Sequence, residues 1–308
     1  MKRLQNKVAG SRFTLPVVAA YAFCTWLIAS PMHWPQLACF AATVYLLVEL
    51  SNSNALLRMR SRMVSCTYIM FSTMVCQLFD SLSGCFTALC FTASLLILFH
   101  AYQDKQAVGK AFYAFACLGI ASIFFVKMLW LIPVIWLLMA TQLQALGWRT
   151  FMASIIGLIA PYWFFSLWFI YQQDFSPLVL HMSGLFTVST TSDYVTVSIG
   201  QWMALIFALL LAVAGIIHFW LHSFEDNIRI RMLFGFFTVI ALLMTAWIIL
   251  QPQHYDPLIR LFLIATSPLV AHLFTHTSSR ITNIAFIVSI IASIAITVFN
   301  LWTFSLRF

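Results

Sequence analysis

The sequence predicts an all-α protein, a polytopic bundle of transmembrane helices with its N-terminus in the cytoplasm. Three observations predict this fold: the chain is strongly apolar, its charges are widely spaced, and its basic residues are placed asymmetrically. Of 308 residues, 63% are hydrophobic and 8% are charged, whereas a soluble domain has about 25% charged residues. A soluble fold of this length would lack the polar residues to cover its exterior. The expected environment is therefore a bilayer.

Charged residues separate apolar stretches that are each long enough for one membrane crossing. No charged residue lies between Arg62 and Asp80, or between Arg231 and Asp256. A helix needs roughly 17–25 residues to span the hydrocarbon core. The pattern predicts about eleven spans, over residues 14–30, 35–50, 63–79, 84–102, 111–126, 128–146, 151–171, 200–221, 232–250, 258–275 and 281–304.

Two features leave a second count open. Glu49 shortens the second span, and the fifth and sixth spans share a turn at residues 124–127 that contains no Gly, Pro or Asn. A re-entrant pair at that turn would leave about nine spans and the same orientation.

The basic residues predict the orientation. With the N-terminus inside, cytoplasmic segments contain all but three of the 16 Lys and Arg, the exceptions being Lys127, Arg260 and Arg307, while the acidic residues divide evenly. This distribution follows the positive-inside rule. It predicts a multi-pass protein of a cell inner membrane with a periplasmic C-terminus. Because the basic residues are dispersed, the bilayer is the expected partner and nucleic acid is not.

The whole chain, 1–308, is expected to form a single integral membrane domain without a soluble domain. The apolar stretch from Thr14 to Ser30 lacks a cleavage site and is interpreted as a retained first helix. The longest outer loop, 172–199, is too short for an independent domain of at least about 50 residues. It is expected to hold a short helix from Phe175 to Phe186. The seven cysteines lack metal-type spacing, and we assign no metal and no cofactor.

A candidate polar cluster lies on the predicted outer face. His254, Tyr255, Asp256 and Arg260 fall within seven residues at the start of a helix, and Asp174 and Lys127 are predicted on the same face. Such groups can bind a phosphate or a sugar, with a His or Asp as proton acceptor. The alternative is structural: Asp256 caps the helix, and Arg260 pairs with Asp256 and extends to the interface. The structural interpretation is favoured.

Two histidine pairs are predicted near the cytoplasmic ends of the eighth and tenth helices. His218 with His222, and His272 with His276, have the i, i+4 spacing that puts both rings on one helix face. If the two helices touch, four imidazoles could bind a metal ion or ligate haem. The favoured alternative is interfacial histidines at helix C-termini, because no carboxylate lies within these spans to support the ligands.

Three further features have structural interpretations. Lys127, in an apolar outer turn, is expected to anchor at the interface or contact a lipid phosphate. Glu49 is expected to form an ion pair with one of the arginines at 58, 60 and 62. Pro161 and Gly157 predict a kinked helix that a neighbour approaches closely.

Residues around that kinked helix also carry a resemblance. The run Gly119-Ile120-Ala121-Ser122, then Trp148-Arg149, Gly157 and Pro161-Tyr162 resemble a family of uncharacterised multi-pass inner-membrane proteins of bacteroidete bacteria. The resemblance implies a location and no activity. More distantly, the chain is similar to multi-pass glycosyltransferases that use polyprenyl-phosphate sugars. Those enzymes place an essential acid in the first outer loop. In this chain the corresponding loop, residues 30–36, contains no Asp or Glu.

Three functional classes follow. The leading hypothesis is a component of cell-envelope biogenesis that assembles with other envelope membrane proteins or with polyprenyl-linked intermediates, and that is not itself an enzyme. The alternatives are a glycosyltransferase-like enzyme or pseudoenzyme acting on lipid-linked sugars, and a small-molecule transporter. A transporter would need broken helices and a polar path near the midplane. Pro133, Pro161 and Pro268 could break helices, but the predicted spans contain almost no charged residues to line such a path.

Overall fold

The computed structural model describes residues 4–29, 33–59, 61–187, 197–277 and 279–305. The protein is all-helical, with 86% helix and no strand among the residues described. The chain divides into two compact units. The first unit comprises Met1–Leu82 and Thr191–Phe308, and the second comprises Ser83–Thr190.

Eight helices belong to the first unit. They are α1 (Leu4–Gly10), α2 (Thr14–Ala29), α3 (Trp34–Ser53), α4 (Met63–Met74), α10 (Ile199–His222), α11 (Ile228–Leu250), α12 (Tyr255–His276) and α13 (Arg280–Ser305). Nearly every residue of α12 is buried, and this helix packs against α4, α10 and α11. The core of the first unit is therefore centred on α12.

Successive long helices of the first unit run in alternate directions, so their ends gather on two faces. We call the first the N-terminal face. It contains α1 and the turns that precede α4, α11 and α13. Ser61 Oγ donates to Ala9 O at 2.6 Å, and Arg229 Nη2 donates to Asn54 Oδ1 at 2.8 Å. Side-chain hydrogen bonds thus join the turns of this face to one another.

The opposite face contains the other ends of the same helices. Asn300, on α13, donates through Nδ2 to Met74 O at 2.7 Å and to Gly200 O at 3.1 Å. Tyr255, at the start of α12, donates to Gln201 O at 2.8 Å. The start of α10 carries a capping box in which Ser198 and Gln201 satisfy each other's backbone N–H groups.

The second unit contains the remaining helices: α5 (Leu82–Phe99), α6 (Val108–Phe124), α7 (Ile132–Thr141), α8 (Trp148–Gln172) and α9 (Ser176–Ser183). α6 packs along α8. A Cβ on Gly157 would lie 2.3 Å from the backbone oxygen of Phe112, so the predicted close approach at Gly157 is confirmed. The predicted short helix in the 172–199 loop is confirmed as α9 with a 3-10 turn at Gly184–Phe186. Residues 188–196 of that loop lie outside the described residues.

The predicted count of about eleven spans is not confirmed. Among the described residues, seven helices are long and apolar enough to cross a membrane: α3, α5, α8, α10, α11, α12 and α13. An eighth span results if α1 and α2, bent by 89°, count together. Every predicted span contains a helix, but α4, α6 and α7 are shorter than 18 residues. Apolar runs therefore overstated the length of the regular helices.

The prolines do not act as expected for a transporter. Pro161 lies inside the continuous helix α8, and Pro268 lies inside the continuous helix α12. Pro133 occupies the first turn of α7, where its missing N–H costs no helical hydrogen bond. None of these three prolines interrupts a helix.

Candidate functional site

The predicted outer-face cluster is divided between the two units. His254, Tyr255, Asp256 and Arg260 belong to the first. Arg260 is 4% exposed, donates to Asp256 Oδ1 at 3.0 Å and also donates to the backbone oxygen of Leu78. The predicted Asp256–Arg260 pair is confirmed. The predicted extension of Arg260 to the interface is wrong, because this side chain is buried, where it bonds the 3-10 turn after α4 to α12.

The predicted capping role of Asp256 is also wrong. The helix begins at Tyr255 with His254 as its N-cap residue, and no side chain caps it. The chain enters α12 directly from a 3-10 turn at Pro252–His254. Tyr255 is buried, and its hydroxyl is bonded to the backbone at Gln201. Tyr255, Asp256 and Arg260 thus form hydrogen bonds that pack the helix ends of the opposite face.

Asp174 and Lys127 belong to the second unit. Asp174 Oδ1 accepts a hydrogen bond from the Ser176 backbone N–H at 2.9 Å, at the start of α9. This bond lowers the pKa of Asp174. Lys127 is 2% exposed and donates to Thr187 O at 2.7 Å. Lys127 does not extend to the interface as predicted, because its ammonium group is buried and donates to the Thr187 carbonyl inside the second unit.

The two histidine pairs do come together. Because α10 and α12 are separated by one antiparallel helix, both run toward the N-terminal face, and they pack against each other. The rings of His218 and His272 lie 5.7 Å apart between centroids. Within the pairs, His218 stacks on His222 at 4.5 Å and His272 stacks on His276 at 4.1 Å. The condition set by the sequence analysis, that the two helices touch, is met.

The carboxylate that the sequence analysis missed is Asp226. It follows the 3-10 turn Ser223–Glu225 between α10 and α11, outside the predicted spans. Asp226 Oδ2 lies 3.1 Å from His272 Nε2, and Arg58 Nε donates to Asp226 Oδ1 at 2.9 Å. A signal existed in the sequence, because Glu225 and Asp226 lie three and four residues after His222.

Arg58 links this cluster to the turn before α4. Its Nη1 also lies 2.9 Å from Glu225 Oε2. Burial by itself lowers the pKa of Arg58, but hydrogen bonds and charges from Glu225 and Asp226 raise it above its ordinary value. The expected ion pair of Glu49 is not formed with Arg58, whose partners are these two carboxylates, or with Arg62. Arg60, the third candidate, lies outside the described residues.

An apolar groove opens in the first unit toward the N-terminal face. Its volume is about 690 Å³, within the range of pockets that hold small ligands. Helix α1 closes one end of it through Leu4, Lys7 and Val8. The walls come from five further helices and include Phe13, Val17, Tyr21, Met70, Phe71, Leu211, Phe274, Phe286 and Ile290.

A polar cavity adjoins this groove. It is lined by the segment Gly10–Arg12 and by the end of α3 with the following turn, and it includes Arg12, Arg58 and Arg62. Ser11 lines both the groove and the cavity. The two spaces are therefore neighbours, one apolar and one basic.

The charge of this region is positive. Lys7, Arg12 and Arg62 are exposed and form no ion pair within the described part of the chain. Arg58 is balanced by its two carboxylates. Lys7 thus lines the apolar groove, and Arg12 and Arg62 line the adjoining cavity, each without an acidic partner among the described residues.

The long apolar helices indicate an integral membrane protein. Comparisons with protein-family models, with curated proteins and with solved structures found no match to this chain.

Proposed function

We propose that this integral membrane protein binds a lipid with a long apolar chain and a phosphate head group, and that it serves cell-envelope biogenesis through such a lipid. Polyprenyl phosphates are the members of this class that the sequence analysis favours. The proposal places the protein in an inner membrane, with the N-terminal face toward the cytoplasm. It includes no catalytic step.

The observation that carries the proposal is the shared boundary of the two spaces at Ser11. A phosphate-headed lipid is apolar along its chain and anionic at one end. The groove offers the apolar surface, and Lys7, Arg12 and Arg62 offer the cations. Lys7 lies on α1 at the end of the groove, so its stem can cover apolar surface while its ammonium group reaches the head group.

The energies favour such a ligand over a neutral one. Each basic side chain near an anionic head group contributes about 1 kcal/mol. The apolar chain contributes little selectivity, because the surrounding lipid tails are equally apolar. Discrimination is therefore expected at the phosphate, which the basic cavity would contact.

The other two functional classes gain no comparable observation. Arg260 and Tyr255, two members of the candidate outer-face polar cluster, donate to backbone oxygens and hold helices together. The helices expected to be broken in a transporter are continuous at Pro161 and Pro268. Lipid binding is therefore the function that the geometry supports best.

The proposal is tested by lipid binding to the purified full-length protein in detergent micelles. A long-chain polyprenyl phosphate is the probe, and the corresponding polyprenol is the neutral comparison. We expect the phosphate to bind more tightly. The double variant Arg12→Gln/Arg62→Gln removes two contacts of about 1 kcal/mol each, so its affinity for the phosphate should fall about 30-fold.

Two matched variants control for charge and for surface change. Lys105→Gln/Arg149→Gln removes the same charge from exposed residues of the second unit and should leave the affinity unchanged. Val17→Trp fills the groove, whereas Val298→Trp makes the same change at an exposed position outside it. Only the first should weaken binding of both probes. Equal binding of phosphate and alcohol, or equal losses in both double variants, would overturn the proposal.

A further inference from the structure

We propose that the N-terminal face contains a binding site for one divalent transition-metal ion of the Zn²⁺ class. Its ligands would be Asp226, His272 and His276, with His218 as the neighbouring fourth group. This inference goes beyond lipid binding and does not depend on it. The elements that position the ligands are α10, α12 and the turn that leads into α11.

The geometry of the three ligands suits a shared ion. One ligand atom from each of Asp226, His272 and His276 lies within 4.8 Å of the others. Zn²⁺ holds nitrogen and oxygen ligands at about 2.0–2.2 Å in a tetrahedron, which puts them about 3.4 Å from one another. The Asp226–His272 pair is already at 3.1 Å. Small rotations of the His276 ring would complete the set.

Burial and unsatisfied nitrogens point to a ligand as well. His272 is 1% exposed and Asp226 is 7% exposed. Within the described part of the chain, His218 Nδ1, His272 Nδ1 and His276 Nε2 are buried atoms that have no hydrogen-bond partner. A buried polar atom without a partner is unfavourable, because it has lost its hydration and gained no hydrogen bond in exchange. Coordination by His276 Nε2 and His218 Nδ1 would use two of these lone pairs.

Other contacts orient the ligands. His276 Nδ1 lies 3.2 Å from His272 O and 3.1 Å from Thr275 Oγ1, so Nε2 is left to face the cluster. Arg58 holds Asp226 through Oδ1 and leaves Oδ2 for the ion. Hydrogen bonds of this kind are what positions ligands at metal sites. Arg58 is thus a positioning residue, and its positive charge is offset by Glu225.

The donor set selects the class of ion. Two imidazoles and one carboxylate suit Zn²⁺ and the other late divalent metals rather than Mg²⁺ or Ca²⁺, which prefer oxygen ligands. A third imidazole from His218 would close a tetrahedral site. His222 is exposed, and its Nδ1 lies 3.1 Å from the His218 carbonyl, so it stacks on His218 without joining the set.

The test is Zn²⁺ binding to the full-length protein, stripped with a chelator and measured by calorimetry and metal analysis. We expect about one ion per chain. Because His276 would be a direct ligand, His276→Gln should weaken binding at least about 100-fold, the upper end of what supporting residues cost. Arg58→Gln should weaken it about 10-fold. Co²⁺ in place of Zn²⁺ should show the intense visible absorption of tetrahedral coordination, and His276→Gln should lose it.

The matched control is His100→Gln, which removes an exposed histidine of the second unit and should change nothing. Asp226→Asn is a second ligand variant. If Asp226→Asn fails to fold, the Zn²⁺ affinity of His276→Gln and the Co²⁺ spectrum still test the proposed site. The proposal is overturned if the wild type binds less than one-fifth of an ion per chain, or if His276→Gln and His100→Gln bind Zn²⁺ equally.

Discussion

Gly215 sets the distance between the two helices that carry the histidine pairs. A Cβ at this position would lie 2.8 Å from Leu269 O and 2.9 Å from Leu269 C. Both atoms are backbone, so the neighbour cannot move aside by changing a rotamer. Gly215 lies one helical turn before His218. Close packing of α10 on α12 therefore depends on this glycine.

Gly215→Ala is expected to separate α10 from α12 and lower the free energy of unfolding by about 1–3 kcal/mol, the usual cost of overpacking. Thermal unfolding in micelles measures this change. The control is Gly109→Ala in α6, where a Cβ meets nothing within 4 Å. Its stability should stay equal or rise by up to about 1 kcal/mol. Equal stability of the wild type and Gly215→Ala would contradict the packing argument.

Single residues also show what the sequence could and could not predict about the site. The i, i+4 histidine spacing was visible because the period of a helix is fixed. The pairing of α10 with α12 was not, since apolar helices in a bilayer give little indication of their neighbours. The role of Asp226 was not predicted, because this residue lies in a turn outside the spans and reaches the histidines only when α10 and α12 pack together.

At the scale of elements, Gln5 attaches α1 to its neighbours at the end of the groove. Gln5 is fully buried, and its Nε2 donates to Thr277 Oγ1 at 2.8 Å and to Thr277 O at 3.2 Å. Its backbone N–H donates to Asn283 Oδ1 at 3.1 Å. These bonds join α1 to Thr277 in the turn between α12 and α13 and to Asn283 in α13. A seven-residue helix has little stability of its own, so this attachment maintains it.

Gln5→Leu is expected to loosen α1 without unfolding the bundle. Losing two net hydrogen bonds of about 1 kcal/mol each should speed amide hydrogen exchange in α1 about 30-fold. Mass spectrometry of the exchanged protein measures this rate. Asn6→Leu is the control, because none of the bonds described for Gln5 involves the Asn6 side chain. If α1 exchanges at the same rate in both variants, other contacts hold it.

The elements were predictable in kind and less so in length. Each predicted span contains a helix, because apolar runs between charges are a strong signal. The regular part of α4 nevertheless ends at Met74, and a 3-10 turn from Cys76 to Phe79 completes the apolar run. Hydropathy does not distinguish these two conformations. The bend of 89° between α1 and α2 was likewise not visible in composition.

At the scale of the whole molecule, the two faces of the first unit are expected to lie on opposite sides of the membrane. The direction of each helix follows from which turns are bonded together, and it does not depend on the charge of any loop. The positive-inside rule is an independent argument for which face is cytoplasmic. The two arguments can therefore be tested separately in one experiment.

Single cysteines placed on the two faces should be labelled from opposite sides of the membrane by an impermeant maleimide. Lys7→Cys and Ser279→Cys lie on the N-terminal face, and His33→Cys and Gln253→Cys lie on the opposite face; all four positions are exposed. The background would carry alanine at the seven native cysteines. In intact cells we expect labelling of His33→Cys and Gln253→Cys only, and labelling of all four after permeabilisation.

The labelling results that differ from this expectation distinguish an error in the membrane orientation from an error in the helix directions. Labelling of Lys7→Cys and Ser279→Cys alone would reverse the orientation but preserve the arrangement of helices, and the basic cavity would then face the outer leaflet. If the two variants of one face were labelled from opposite sides of the membrane, the helix directions themselves would be contradicted. That result would also remove the reason for placing His218 and His272 at the same face, because the metal site requires α10 and α12 to end together. The topology therefore decides whether both proposed sites can lie on one side of the membrane.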